Sequence, residues 1–265
     1  MKKLIYQVYV GKKSRLYDYC TKSVKEYADK IGADYICQTT PILRIKPDIF
    51  TTNRSPESYE KYGGYLPIYE KENAFGYFDR YDQISIIDAD VYVRPNSPDF
   101  FDELESEYDF GGVIERDMPL TETYKQKILN YSHMQYGSLK VWDDWSPHIP
   151  APFMNMGIML MNKSFSNYLE EQTPREFIER QEFKMFVDGM GPWKWSTDQT
   201  LLNYWINKER MKIKNLDWKW NGLFSANTKI NECHFIHFFL KDKLPESGEN
   251  VEQLMEVING SSGSQ

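Results

Sequence analysis

The chain has 265 residues, 41% of them hydrophobic and 27% charged, with a formal net charge of −7. That is long enough to bury one full core, and too acidic overall to offer nucleic acid or an anionic membrane a general electrostatic footprint. No stretch is long and apolar enough to cross a bilayer, and Cys20, Cys37 and Cys233 lie too far apart for a zinc cluster or a disulfide framework.

The cysteines read as buried free thiols, and an N-terminus without a signal-peptide pattern points to the cytoplasm. Residues 4–10 alternate as a first strand. Ser14 is placed to cap a helix whose apolar positions Leu16, Cys20, Val24, Tyr27, Ala28 and Ile31 recur at helical spacing, and Gly32 is placed to end it. Residues 34–37 form a short second strand, and the polar stretch 40–64 reads as a long loop. Pro67 suits the first turn of a helix running to about Tyr81. A buried strand follows, Ile84-Ser85-Ile86-Ile87, and it ends abruptly in Asp88-Ala89-Asp90. Ser97-Pro98 opens another helix, and residues 108–114 are strand-like. This alternation implies an α/β fold with a mainly parallel, Rossmann-like sheet flanked by helices.

The second half is less regular. Residues 118–153 mix a helical piece with Trp142, Trp145 and several prolines, and residues 156–161 form an apolar run of strand length. Thr173-Pro174 opens a charged helix reaching about Phe186, and residues 188–196 form a Gly/Trp loop. Thr197 caps a helix through Leu201, Leu202 and Trp205; residues 233–240 are a late aromatic strand, and residues 251–258 a last helix. All seven tryptophans fall after position 141. Trp205 reads as core, whereas Trp193 and Trp195 fit either core packing or a stacking surface for a sugar. The chain reads as one domain over residues 1–259, with a nucleotide-binding half (1–115), an acceptor-shaping half (116–259) and a flexible tail (260–265).

The acidic strand end is the most informative feature. Carboxylates delivered from a buried strand need a cation or strong donors, and at the carboxyl edge of an α/β sheet a divalent metal carrying a ligand fits. A structural pair of turn aspartates is the alternative.

Four segments stand in a telling order: Asp88-Ala89-Asp90, Met154-Asn155-Met156-Gly157-Ile158-Met159-Leu160-Met161-Asn162, Ser196-Thr197-Asp198-Gln199-Thr200-Leu201-Leu202-Asn203, and Ile236-His237-Phe238. Together they resemble the metal-dependent nucleotide-sugar glycosyltransferases of the GT-A type, especially glycosyltransferase family 8, which includes glycogenin and bacterial lipopolysaccharide galactosyltransferases. The resemblance implies that Asp88, Asp90 and His237 ligate Mn²⁺ or Mg²⁺. His234 is the competing histidine, but in an extended strand it faces the side opposite His237. The resemblance also places Lys71, Asp88 and Ala89 at the donor nucleotide sugar, Asn155 and Gly157 along its sugar, and Asp198 and Gln199 at the transferred hexose. Lys241 or Lys243 falls to the diphosphate, although Phe239-Leu240 stands where the family usually has a glycine. The implied reaction moves a hexose from a nucleoside diphosphate sugar, UDP-linked, to a hydroxyl acceptor with retention. A sugar-nucleotide pyrophosphorylase and a non-catalytic sugar-binding protein are the rivals. For the former, only Val10-Gly11-Lys12-Lys13-Ser14-Arg15 offers a faint phosphate loop.

Overall fold

The computed structural model describes residues 1–52 and 63–260. The tail 261–265 and the central part of the polar loop therefore lie outside the described residues. Strand β1 (Lys3–Val8), helix α1 (Arg15–Ile31) and strand β2 (Asp34–Gln38) open the chain. The predicted apolar stripe of α1 is buried, and Gly32 closes the helix at φ 68°, in the left-handed region where glycine meets no steric penalty. Ser14 stands at the cap position, but its hydroxyl does not cap. It donates to Glu249 at 2.9 Å, and Glu249 accepts the Arg15 amide at 2.9 Å instead. The first helix is thus capped from the far end of the chain.

The expected helix after Pro67 is a 3₁₀ segment, Pro67–Tyr77, which stops short of Tyr81. The segment sends its side chains in three directions. Ile68 and Lys71 line a cleft, Tyr69 and Phe75 enter the core, and Glu70 and Asn73 face the other way. Glu70 accepts the amides of Ile42, Leu43 and Arg44 at 2.6–2.9 Å, and Asn73 donates to the Tyr6 hydroxyl at 2.8 Å.

Next come β3 (Gln83–Ile87), β4 (Val91–Val93), β5 (Phe110–Ile114), helix α2 (Glu122–Tyr136) and β6 (Met154–Asn162). The helix expected after Ser97-Pro98 is only a 3₁₀ turn, Phe100–Glu103, capped by Asp99. The charged helix after Thr173 is likewise broken, into α3 (Pro174–Ile178), a turn and α4 (Lys184–Val187). The capping box on α3 is intact, so its start was legible where its length was not. Helix α5 (Asp198–Lys208) is followed by β7 (Ile213–Asn215), β8 (Gly222–Leu223), β9 (Phe235–His237) and α6 (Val251–Gly260).

Six strands form the central sheet in the order β2-β1-β3-β6-β5-β7. The β1–β2, β1–β3 and β5–β7 pairs are parallel, while β6 runs against both neighbours. The fold is α/β with a mainly parallel sheet, as expected, but its most apolar strand is the reversed one. Every residue of β6 is buried, because both faces of the sheet are covered. Met154, Met156, Met159 and Met161 all join the core cluster that holds Phe165, Phe177 and Trp205, whereas Ile158 and Leu160 join the opposite one. Side chains of a regular strand alternate, so two even and two odd positions on one face require a bulge. The β5–β6 register shifts between Gly111 and Val113, opposite the Asn155–Leu160 stretch. The change of face falls at Gly157. A second, three-stranded sheet, β4-β9-β8, lies beyond the end of β3.

Candidate functional site

Strand β3 ends at Ile87, and the Asp88 amide donates to the Gly157 carbonyl at 2.8 Å, which fixes the turn that delivers both aspartates. The second sheet supplies the histidine: Val91 pairs with His237, and the Phe238 amide donates to the Asp90 carbonyl at 2.9 Å. His237 Nε2 lies 3.3 Å from Asp90 Oδ1 and 3.9 Å from Asp88 Oδ2. One ligand atom from each of the three residues lies within 4.8 Å of the others. Two carboxylates and an imidazole converging from two sheets are a donor set suited to Mn²⁺ or Mg²⁺, Mn²⁺ being the one that also accepts nitrogen. His234 points elsewhere and packs on Trp220 at a centroid distance of 4.7 Å.

The charges shift one another. Burial and the neighbouring Asp90 push the Asp88 carboxyl up to about 6, against the pull of Lys71 and His237. Burial also opposes ionisation of Asp90 and His237, but each stabilises the charge of the other, so Asp90 is lowered and His237 raised.

Lys71 is the cation of this group. Its Nζ lies 2.6 Å from Asp198 Oδ2 and 2.9 Å from Asp88 Oδ1, and donates to the Met156 carbonyl at 3.0 Å. Burial would discharge it, yet the two carboxylates outweigh burial and raise its pKa. Glu72, next in the chain, is fully buried, and neither of its oxygens has a hydrogen-bond partner among the described residues. Burial above all, then Asp198, raises its pKa well above the usual carboxylate range. Burial thus favours the neutral form of Glu72 beside the Lys71, Asp88 and Asp198 group.

Asp198 and Gln199 start α5, where Thr197 caps the helix as predicted by accepting the Gln199 amide. Gln199 Oε1 accepts the Met156 amide at 3.3 Å, and Asn203 brackets Met154, accepting its amide at 2.8 Å and donating to its carbonyl at 2.9 Å. These bonds splint α5 to the bulged part of β6. Gly157 has a definite reason to be glycine: a Cβ there would lie 2.2 Å from Cε1 and 2.6 Å from Nδ1 of His237. The imidazole occupies the space a side chain would take.

All of this opens on one cleft of about 660 Å³. Lys71, Asp88, Ala89, Asp90, Asn155, Gly157, Asp198, Gln199 and His237 all line it. The two later lysines are not brought there. Lys241 binds the Ser14 hydroxyl at 2.7 Å and the Glu249 carboxylate, while Lys243 is exposed and outside the lining. The undecided tryptophans separate. Trp193 packs edge-on against Phe186 and donates to the Gln135 carbonyl at 3.0 Å. Trp195 lines the cleft and is 64% exposed.

The sequence reading missed Glu115, Tyr124, Tyr131 and Asn221. Glu115 is a buried carboxyl on the cleft wall just past the end of β5, receiving the Tyr124 hydroxyl at 2.7 Å and the Asn155 amide at 3.1 Å. Burial raises its pKa, partly offset by those two donors. The signal was available: it follows a strand as Asp88 does. Asn221 lies in no pattern that distinguishes it from a loop residue.

No protein-family model and no curated protein sequence matches the chain. Solved structures do. One is a glycosyltransferase involved in the glycosylation of the major capsid of PBCV-1, with TM-score 0.57 and 13% identity over 96% of this chain and 99% of that one. Another is the galactosyltransferase LgtC in complex with donor and acceptor sugar analogs, with TM-score 0.51 and 14% identity over 97% of this chain and 95% of that one. A third is the bifunctional glycosyltransferase WbbM, with TM-score 0.50 and 11% identity, where this chain spans 49% of the matched chain. At such identities the likeness is one of fold, and the fold is the GT-A glycosyltransferase fold.

Proposed function

We propose that this chain is a divalent-metal-dependent glycosyltransferase that moves a hexose from a nucleoside diphosphate sugar, UDP-linked, to a hydroxyl acceptor with retention of configuration. The convergence of Asp88, Asp90 and His237 at the wall of a large cleft carries the reading. The GT-A fold supports it by analogy alone. Asp88, Asp90 and His237 would hold the ion, which when bound neutralises the donor's diphosphate and acts as a Lewis acid on the leaving group.

The protein's own groups divide the remaining work. Without a cation, a diphosphate beside two carboxylates is repelled, each close like-charge pair costing about 1 kcal/mol in water and about 4 kcal/mol at a partly shielded site. Lys71 holds Asp88 and Asp198 in place between the ion site and the sugar end of the cleft. Asp198 lines the cleft to accept hydrogen bonds from sugar hydroxyls. Gln199 has its amide oxygen committed to the Met156 backbone, and an amide is weakly basic, so it makes a poor nucleophile. We therefore favour attack by the acceptor on the face the diphosphate leaves, with a phosphate oxygen taking the acceptor proton. The residues 1–115 and 116–259 both line the one cleft, which fits a single functional unit.

The test is a panel of nucleotide sugars assayed for diphosphate release with Mn²⁺. Release should depend on the metal and fall roughly 100–1000-fold in Asp90→Ala, the loss of several kcal/mol of charge stabilisation. Undiminished release in that variant would overturn the metal assignment. Sugar binding without any release would leave a non-catalytic binding protein, and consumption of a nucleoside triphosphate would point to a pyrophosphorylase.

A further inference from the structure

We propose that Asn221 and Asn155 are positioning residues that keep the proton of His237 on Nδ1 and so leave Nε2 to coordinate a divalent ion. The inference rests on the metal reading above and extends it to residues outside the ion's donor set.

One group in this cluster has no choice of role. A backbone N–H can only donate, and that of Gly157 meets Asn155 Oδ1 at 3.0 Å. This contact settles which end of the Asn155 amide is oxygen. Asn155 Nδ2 then faces Glu115 Oε2 at 3.1 Å, an acceptor. A carbonyl oxygen has a second lone pair, and Asn221 Nδ2 donates to it at 2.9 Å. That bond in turn settles the Asn221 amide and aims its Oδ1 at His237 Nδ1, 3.2 Å away. An oxygen there can only accept, so Nδ1 must carry a hydrogen.

Glu115, Asn155 and His237 are 8% exposed or less, and the Asn221 amide that faces Nδ1 is fully buried, so water does not relieve a mismatch there. The other ring nitrogen, Nε2, is the one turned to Asp88 and Asp90. The ring cannot slide out of this register cheaply, since it rests on the bare Cα of Gly157. A fixed tautomer and a fixed ring together are what a ligating histidine requires from its surroundings. The chain of bonds runs from the peptide of a bulged strand to the metal-facing nitrogen, and each member decides the next.

Two measurements test this. In the wild-type protein saturated with Mg²⁺, which is diamagnetic, ¹⁵N–¹H correlation spectra of the histidine rings should show His237 protonated at Nδ1, with His237→Gln identifying its signals. An unprotonated Nδ1 would overturn the proposal, and this readout requires no Asn221 variant to fold. In parallel, Mn²⁺ titration followed by electron paramagnetic resonance, with no donor present, should show Asn221→Leu binding about 10–100-fold more weakly than wild type. The Nδ1 proton signal should be lost or shifted in that variant, an effect that loss of packing alone would not produce. Equal affinity in Asn221→Leu and wild type would sink this proposal and leave the metal reading standing. If the wild type binds no Mn²⁺ at all, both fall.

Discussion

The two ends of the cleft are built on opposite principles. At the strand end, Lys71, Asp88, Asp90, Asp198 and His237 each meet a charged partner within 4 Å, and Gly157, Asn155 and Asn221 fit around them without spare room. At the rim formed by α2 and the turn before α5, the lining is Tyr124, Lys127, Tyr131 and the exposed Trp195. One end is fixed by electrostatics in a low-dielectric setting, where each group depends on the others. The other offers aromatic surface, with the Tyr124 and Tyr131 hydroxyls bonded to Glu115 and Thr200 and Trp195 left exposed. A donor with an invariant diphosphate suits the first kind of site, and an acceptor suits the second.

The sharpest way to break this contrast is Lys71→Ala. It leaves the buried Asp198 and the half-buried Asp88 without their shared cation, and removing one partner of a buried ion pair costs about 3–5 kcal/mol. Denaturant unfolding at pH 7 should register that loss. A loss below about 1 kcal/mol would mean that the strand end is solvated enough to be an ordinary surface, where such pairs contribute little.

How much of this was legible in the sequence follows the same division. Features decided by neighbours in the chain were readable: the apolar stripe of α1, the Thr197 cap, the buried run of β6 and the aspartates that end β3. Features decided by distant partners were not. Ser14 looks like a cap, but Glu249, 235 positions away, takes that role. Lys241 stands in the expected segment after His237 yet turns to that same Glu249. Along the 3₁₀ segment Pro67–Tyr77, Glu70 and Lys71 reach targets that are not local. Asn221 acquires meaning only when β8 and β9 bring it to His237. Glu115 was within reach, because a carboxylate closing a buried strand was the rule already applied to Asp88.

Glu72 sharpens the comparison through pH. Its folded-state pKa is raised, first by burial and then by Asp198. Below the unfolded value of about 4.3 both states are protonated and the group adds no pH dependence. Above it the unfolded chain releases the proton while the folded chain keeps it, so stability falls as pH rises, by up to about 1.4 kcal/mol per unit, until the folded pKa is passed. Glu72→Gln removes that slope. The stability of the variant relative to wild type should therefore rise with pH above the unfolded value, read from denaturant midpoints across a pH series. A constant difference across that series would show that the fold does not hold the Glu72 carboxyl neutral.

Trp195→Ala probes the loose end, and its expected effect is the smallest. The indole is 64% exposed, so truncation should change folding stability by no more than about 0.5 kcal/mol. Under the proposed function its place on the cleft lining would let it stack on the acceptor, and an aromatic contact of that kind is worth about 0.5–1.5 kcal/mol. The acceptor KM should therefore rise roughly 2–10-fold, with the change in acceptor KM exceeding that in donor KM. Trp193→Ala is the internal control for folding, because Trp193 is packed on Phe186 and bonded to the Gln135 carbonyl, so its removal should lower stability instead. If Trp195→Ala moved donor KM more than acceptor KM, the donor would reach across the rim, and the division of the cleft into a charged donor end and an aromatic acceptor end would have to be redrawn.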